Sequence, residues 1–227
     1  MTVISIVYHS LRDRTHRQAE AVGRGARAVP GVTVHMIRLD QSQIGAGGRW
    51  QDKAVLEKLT ASDGIIFGSV TFFGTVSAPF KSFLDATFGL WHEHAWKDKF
   101  AGGFTNSSAY NGDKQVTLMT LLTFAAQMGM MWVPMGDHPG GNWSGGSQND
   151  INRLGSFLGP MAQSDADADI EASPPASDLA TAERYGERFA LIVRHWMREG
   201  NYVPVRERDK AAVAALKKLG VSAADVF

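Results

Sequence analysis

A short segment near the N-terminus combines the groups that bind a phosphate monoester. It follows an apolar run at residues 3–8 and leads directly into a helical pattern. Its members supply two hydroxyls and two guanidinium groups: Ser10, Leu11, Arg12, Asp13, Arg14 and Thr15. Free backbone N–H groups at a helix start, beside arginine side chains, suit a phosphate dianion. A simpler interpretation stays open, in which Ser10 and Thr15 only cap the helix and the arginines are solvated.

The same segment does not match the two common nucleotide-binding motifs. It lacks the glycine spacing of the dinucleotide fingerprint and of the GxxxxGK[ST] phosphate loop. A classical NAD-binding Rossmann domain and a P-loop nucleotide hydrolase are therefore both disfavoured.

Two further polar loops follow apolar runs and carry aromatic side chains. After residues 64–68, which we expect to form a strand ending at Gly68, come Thr71, Phe72, Phe73 and Gly74. After residues 100–104 come Asn106, Ser107, Ser108, Ala109, Tyr110 and Asn111. Taken singly, each aromatic residue in these loops is more typical of packing. Together with Trp91, they favour a planar heteroaromatic ring held between aromatic walls.

Alternating strands and helices position these loops. We expect strands at 3–8, 32–37, 64–68, 100–104 and 130–133, and helices near 19–29, 52–59, 77–90, 116–128 and 177–198. This alternation predicts an α/β fold with a doubly wound, five-stranded parallel sheet. Ligands of such sheets bind outside the carboxyl ends of the strands, which is where the three polar loops lie.

Composition narrows the function classes. The 23 basic residues balance the 23 acidic ones, so no overall positive field favours nucleic acid. There is no cysteine, so redox chemistry would need a cofactor. The chain has no signal-peptide pattern and no apolar stretch typical of a membrane span, so we expect a cytoplasmic protein without membrane insertion. The His92 and His94 pair does not predict a metal site, because it follows a helix rather than lying on a strand.

Two stretches interrupt the regular alternation. Residues 135–176 contain seven glycines and then an Asp/Ala/Ser/Pro-rich run, which is too long for an ordinary connection. We therefore predict one domain at 1–199 with a Gly-rich insertion at 135–176. A tail at 200–227 follows, with a helical pattern at 209–219 that we expect to pack on the protein or a partner.

The chain resembles a flavodoxin-like family on these residues. The family is that of the NAD(P)H:quinone oxidoreductases of the tryptophan-repressor-binding-protein type, with the related flavin reductases, and the similarity spans roughly residues 3–198. The matching motifs are Thr71-x-Phe73-Gly74, Ser77-Ala78, Lys81, Phe83-Leu84-Asp85, Gly89-Leu90-Trp91, Phe104-Thr105 and Gly112-x-x-x-x-Thr117-Leu118.

The resemblance implies a strand order of 2-1-3-4-5 and a bound FMN. Residues 10–15 would hold its phosphate, residues 71–74 would edge the isoalloxazine ring, residues 106–111 would close the opposite side, and Gln127 would reach a flavin carbonyl. Trp91 would border the space over the flavin, where NAD(P)H and a quinone alternate in a ping-pong, two-electron reaction. The resemblance also implies a homo-oligomer, a dimer or a tetramer, with 135–176 as a candidate interface.

Four residues depart from the family pattern. Arg12 corresponds to an aromatic residue that meets the nicotinamide cofactor in relatives. Asp13 stands where relatives carry glycine, and we expect its charge to face away from the phosphate or to pair with Arg12 or Arg14. Phe72 replaces an arginine, and Gln127 replaces a histidine and can donate a hydrogen bond but cannot titrate. Two alternatives stay open. One is a flavodoxin-like electron carrier, against which Trp91 and the 135–176 loop argue. The other is a non-catalytic binding module of the same fold, which these departures keep open.

Overall fold

The computed structural model describes residues 1–198, which form one parallel sheet covered by helices on both faces. Its strands are β1 (Thr2–His9), β2 (Val32–Arg38), β3 (Gly64–Phe72), β4 (Thr75–Val76), β5 (Phe100–Ser107), β6 (Met131–Trp132) and β7 (Met161–Gln163). Its α-helices are α1 (Arg14–Arg27), α2 (Lys53–Thr60), α3 (Ala78–Ala86), α4 (Phe88–His92), α5 (Lys114–Gln127) and α6 (Ala176–Arg198). In this part of the chain no helix is long and apolar enough to cross a membrane.

The sheet has the doubly wound order that the sequence predicts. Its strands lie in the order β2-β1-β3-β5-β6, and all of these neighbours are parallel. The short strand β4 only folds back, antiparallel, onto the end of β3. When β4 is set aside, this is the order 2-1-3-4-5, and the prediction of a flavodoxin-like sheet is confirmed.

Two short strands share the last position of the sheet. β6 pairs with the start of β5, through Phe100 and Ala101. β7 pairs with the end of β5, through Thr105 to Ser107. The intervening residues 133–160 leave the sheet between these two pairings. The range 135–176, which the sequence presents as one long loop, therefore contains a strand, although its three residues are too few to show an alternating pattern.

Apolar residues fill the space on each face of the sheet. On one face, the buried side chains of α1 and α6 pack against β1 and β3, with Tyr185 and Phe189 among the largest. On the other face, α3 and α5 pack against the sheet around Phe67, Phe80 and Trp96. Both faces of the central strands are thus apolar, as the unbroken apolar runs in the sequence predict.

Some predicted boundaries are wrong for identifiable reasons. The strand predicted at 100–104 continues to Ser107, because β7 pairs with its end. β3 continues past Gly68 to Phe72, because the strand stays paired with β5 through Val70. Gly68 is needed for packing, since a Cβ there would lie 2.1 Å from the ring of Phe104. The predicted helix 77–90 is broken at Thr87, whose hydroxyl donates to Leu84 O at 2.7 Å. The predicted helix at 209–219 lies outside the described residues.

Candidate functional site

A cavity of about 490 Å³ opens where β1, β3 and β5 end. Three strand-end loops and the segment after β7 surround it, as the topology of the sheet requires. Its walls are Ser10, Leu11, Arg12, Arg14, Thr15, Val70, Thr71, Phe72, Phe73, Asn106, Ser107, Ser108, Ala109, Gly112, Ser164 and Ala166. The structure thus brings together most of the predicted site residues, and it adds Val70, Gly112, Ser164 and Ala166, which sequence reasoning missed.

The loop from β1 to α1 has the backbone geometry of an anion site. Asp13 lies in the left-handed region, with φ of 57°, immediately before α1 begins. Ser10 Oγ accepts a hydrogen bond from His16 N at 3.1 Å, so this hydroxyl does cap the helix. Within residues 1–198, four backbone N–H groups at this turn have no acceptor: Leu11, Arg12, Asp13 and Thr15. Unpaired N–H groups at such a turn form a concavity that suits a phosphate.

The charge of Asp13 is neutralised by a residue that the sequence did not single out. Arg38, the last residue of β2, lies 2.7 Å from the Asp13 carboxylate and also donates to Ser10 O at 3.1 Å. The expected pairing with Arg12 or Arg14 is wrong. Arg14 instead donates to the carbonyls of Ala166 and Ala168. Arg38 reaches the loop because β2 lies beside β1 in the sheet.

A chain of hydroxyl groups fixes Thr71 at the floor of the cavity. Thr105 Oγ1 donates to Ser69 O at 2.7 Å, which commits its only proton. The 2.7 Å bond between Thr71 and Thr105 must then be donated by Thr71, and the 2.8 Å bond between Thr117 and Thr71 by Thr117. The side chain of Thr71 therefore has no proton left for a ligand.

Two aromatic side chains stand at the mouth of the cavity. Phe72 is half exposed and Phe73 is fully exposed. Phe73 and Gly74 both have positive φ, at 45° and 73°, and form the tip of the hairpin between β3 and β4. A phenylalanine held in this region is strained, and strain of this kind is concentrated at functional sites. Gly74 shapes this tip without lining the cavity.

The end of β5 offers an acceptor that is unpaired among the described residues. Asn106 is buried, its Nδ2 donates to Ser164 Oγ at 2.9 Å, and its Oδ1 has no partner among the described residues. Buried polar atoms are normally satisfied, so a ligand with an N–H donor fits this position. An isoalloxazine ring carries such an N–H between two carbonyls on its pyrimidine edge. The residues present therefore fit FMN, with its phosphate at the first loop and its ring toward Asn106.

Other predicted members of this loop do not reach the cavity. Tyr110 is largely exposed, and the guanidinium of Arg153 lies 5.7 Å from the centre of its ring. Asn111 is exposed, and its side-chain oxygen accepts a hydrogen bond from Asp113 N at 3.3 Å. Gly112, with φ of 55°, lines the cavity instead. The position needs a glycine, because a Cβ there would lie 2.2 Å from Ser107 Oγ.

A second groove, of about 640 Å³, contains the remaining two predicted residues. Trp91 and Gln127 lie between α3, α4 and α5, beside Phe88, Met119 and Phe124. Among residues 1–198, the groove shares no lining residue with the cavity at the strand ends. The structure therefore does not bring Trp91 and Gln127 to the proposed flavin position within one chain.

A buried histidine lies at the end of β1, next to the first loop. His9 Nδ1 is 2.8 Å from Ser77 Oγ, and both side chains are buried. Burial lowers the pKa of His9, the nearby charge of Arg38 lowers it further, and Asp40 opposes the shift. A neutral His9 fastens the end of β1 to the segment before α3 and so stabilises two walls of the site.

Comparison with known proteins agrees with this geometry. Flavodoxin FldP of Pseudomonas aeruginosa (strain UCBPP-PA14) is 38% identical over 192 residues, which cover 85% of this chain and 97% of that protein. An NAD(P)H dehydrogenase (quinone) of Geobacter sulfurreducens is 33% identical over 201 residues, 83% of this chain and 96% of the relative. The crystal structure of a flavodoxin, WrbA-like protein from Agrobacterium tumefaciens superposes with a TM-score of 0.61 at 36% identity, covering 86% of this chain and 99% of that one.

The family assignment rests on a match that includes the three strand-end loops. The family model described as NADPH-dependent FMN reductase matches residues 1–142, which is more than half of the chain. The chain belongs to the NADPH-dependent FMN reductase family.

Proposed function

We propose that this protein is an FMN-dependent oxidoreductase that carries two electrons from NAD(P)H to a quinone or a similar small acceptor. The observation that carries the proposal is the cavity at the ends of β1, β3 and β5. It joins a turn with four N–H groups that have no acceptor within residues 1–198 to a wall with an acceptor, Asn106 Oδ1, that is unpaired in the same part of the chain. This pair of features matches the two ends of FMN. Family membership and the quinone dehydrogenase relatives support the same conclusion.

Each part of the chain then has a defined task. Residues 10–15 bind the phosphate, and Arg38 keeps Asp13 from repelling it. Asn106 orients the pyrimidine edge of the ring, while Phe72 and Phe73 border the open side. When bound, FMN supplies the redox chemistry, accepting a hydride from NAD(P)H and passing two electrons to the acceptor. The protein contributes position and electrostatics.

The shape of the site supports a ping-pong order. The strand ends close one side of the cavity with the hydroxyl chain of Thr71, Thr105 and Thr117. The open side is bordered by Phe72 and Phe73. The donor and the acceptor would therefore approach the ring from the same side and use it in turn.

Anaerobic half-reactions test this proposal. We expect the FMN-loaded protein to lose its flavin absorbance on mixing with NADPH or NADH, and to regain it when a quinone is added. Kinetics with both substrates varied should give parallel double-reciprocal lines. Intersecting lines would exclude the ping-pong order, and a flavin that neither nucleotide reduces would exclude the reductase.

An electron-carrier function is the second candidate, and one comparison favours it. Flavodoxin FldP is 38% identical to this chain over 97% of the length of FldP. A carrier would bind FMN in the same cavity but would exchange electrons only with a protein partner. The same anaerobic experiment separates the two functions, because a carrier is not reduced directly by NAD(P)H.

We also propose that the chain forms a homo-oligomer, a dimer or a tetramer. The groove between α3 and α5 exposes Trp91, Val116 and Met119 by about half of their surfaces, which is unusual for an isolated protein. A role for Trp91 or Gln127 at the flavin requires a neighbouring copy, since their groove and the cavity are separate. Sedimentation of Met119→Glu against the wild type tests this: a wild-type monomer would contradict it.

A further inference from the structure

A lysine is completely buried beneath the loop after β5. Lys114 is the first residue of α5, and its side chain is fully excluded from solvent. Its ammonium donates three hydrogen bonds, to Ser107 Oγ at 2.9 Å, Ala109 O at 2.7 Å and Tyr110 O at 2.8 Å. An ammonium has three N–H groups, so every one is used. All three acceptors lie on the loop that forms one wall of the cavity.

Charged groups from two other segments face this lysine. Asp178 of α6 and Arg153 of the segment before β7 both act on its charge, with opposite signs. They form a buried ion pair at 2.7 Å. Gln163 N donates to the same carboxylate, and Gln163 Nε2 donates to Ser108 O at 2.9 Å. The loop is thus held from below by Lys114 and from the side by Gln163.

We infer that Lys114 is a positioning residue for the flavin ring. Its charged ammonium donates three hydrogen bonds, which hold the loop 107–112 in the shape that the ring requires. The inference rests on the proposed function. Lys114 itself does not line the cavity, but Ser107 and Ala109, two residues that it binds, do. Loss of one of the ammonium's three N–H groups leaves one of the three acceptors without its donor, and two of these acceptors belong to wall residues.

The effect should concern the ring rather than the phosphate. The loop after β5 is two sheet positions away from the phosphate loop after β1, about 10 Å at the usual strand spacing. A direct attraction between Lys114 and the phosphate would be lost with riboflavin, which has no phosphate. A positioning role would persist with riboflavin.

The protonation of Lys114 gives the inference a measurable signature. Burial lowers the pKa of this lysine to about 8, against the opposing attraction of Asp178, while Arg153 lowers it further. If the ring binds the charged form, binding must raise this pKa, and affinity must fall as pH rises through about 8. One pH unit above that value, about one protein in eleven is charged, so affinity should be roughly tenfold lower.

The test is a titration of the full chain with FMN and with riboflavin between pH 6.5 and pH 9.5, followed by flavin fluorescence. For the wild type we expect a constant Kd up to about pH 7.5 and a roughly tenfold weaker Kd at pH 9, for both ligands. For Lys114→Met we expect the weak Kd at every pH. Lys53→Met, which removes an exposed lysine of α2, should keep the wild-type profile.

The possible outcomes separate the inference from the proposed function. If neither flavin binds at any pH, the proposed function fails and this inference with it. If flavin binds but the wild-type profile is flat, only the role of Lys114 fails. The same holds if the inflection persists in Lys114→Met, or if it occurs with FMN alone. If Lys114→Met does not fold, the wild-type pH profile still tests the role of Lys114, because a flat profile, or an inflection with FMN alone, contradicts it.

Discussion

Replacing Arg38 with alanine removes the only cation paired with Asp13 among the described residues. Arg38 contacts the Asp13 carboxylate at 2.7 Å and also holds Ser10 O. Without Arg38, an uncompensated negative charge lies at the turn whose N–H groups are proposed to bind the phosphate. We expect the affinity for FMN to fall, while the affinity for riboflavin stays unchanged.

The size of this effect follows from the exposure of the pair. The side chains of Arg38 and Asp13 are 44% and 54% exposed, so their charges act through a medium close to water. Coulomb's law then gives roughly 0.5 kcal/mol per pair of unit charges about 8 Å apart. Losing one positive charge near a dianion costs about 1 kcal/mol, or a roughly fivefold weaker Kd. Folding stability should change by less than about 1 kcal/mol, as for other exposed pairs.

Fluorescence titration of four proteins measures this effect. Asp13→Asn in the Arg38→Ala background should recover most of the affinity, because the uncompensated charge is gone. Arg27→Ala, at the far end of α1, controls for net charge and should bind FMN normally. The fivefold loss should shrink as salt is added. An equal loss for FMN and riboflavin would refute the assignment of the phosphate to this loop.

Three further predictions concern stability. In urea denaturation, Gly186→Ala should lower the free energy of unfolding by roughly 1–3 kcal/mol, because its Cβ would lie 1.9 Å from the backbone of α1. Gly89→Ala is the control, because a Cβ at residue 89 meets nothing within 4 Å. Asp178→Asn should cost about 3–5 kcal/mol in the same assay, because it leaves Arg153 buried without its partner. Because the pKa of His9 is lowered in the folded protein, the unfolded state binds a proton at this residue more readily. The free energy of unfolding should therefore fall as the pH drops below about 6.5, and this fall should be less steep in His9→Gln.

The alternation of strands and helices and the edge that carries the site could be predicted from the sequence pattern, and the resemblance to a known family supplied the strand order. Apolar runs such as residues 64–68 are long and bounded by glycine or proline, and buried parallel strands have few alternatives. The segments 10–15 and 106–111 could be predicted as parts of the site because polar residues at strand ends gather at one edge of the sheet. Most of these residues line the cavity, whereas Asp13, Tyr110 and Asn111 do not.

Contacts between distant parts of the chain could not be predicted in this way. The pairing of Asp13 with Arg38 depends on where the side chain at the end of β2 points, and the charge that faces Lys114 comes from Asp178, which is 64 residues further along the chain. A lysine at a helix start is usually solvated, so its residue type gave no signal. Local spacing likewise could not show that Trp91 faces a different groove from the strand-end cavity.

The proposed function depends most directly on FMN occupying the cavity at the strand ends. The decisive measurement is the visible spectrum of protein purified without added flavin, together with a titration of the flavin-free protein with FMN. We expect flavin absorbance or, in its absence, tight binding of one FMN per chain that Asn106→Leu weakens. A protein that carries no flavin and binds none on titration would contradict the proposed function.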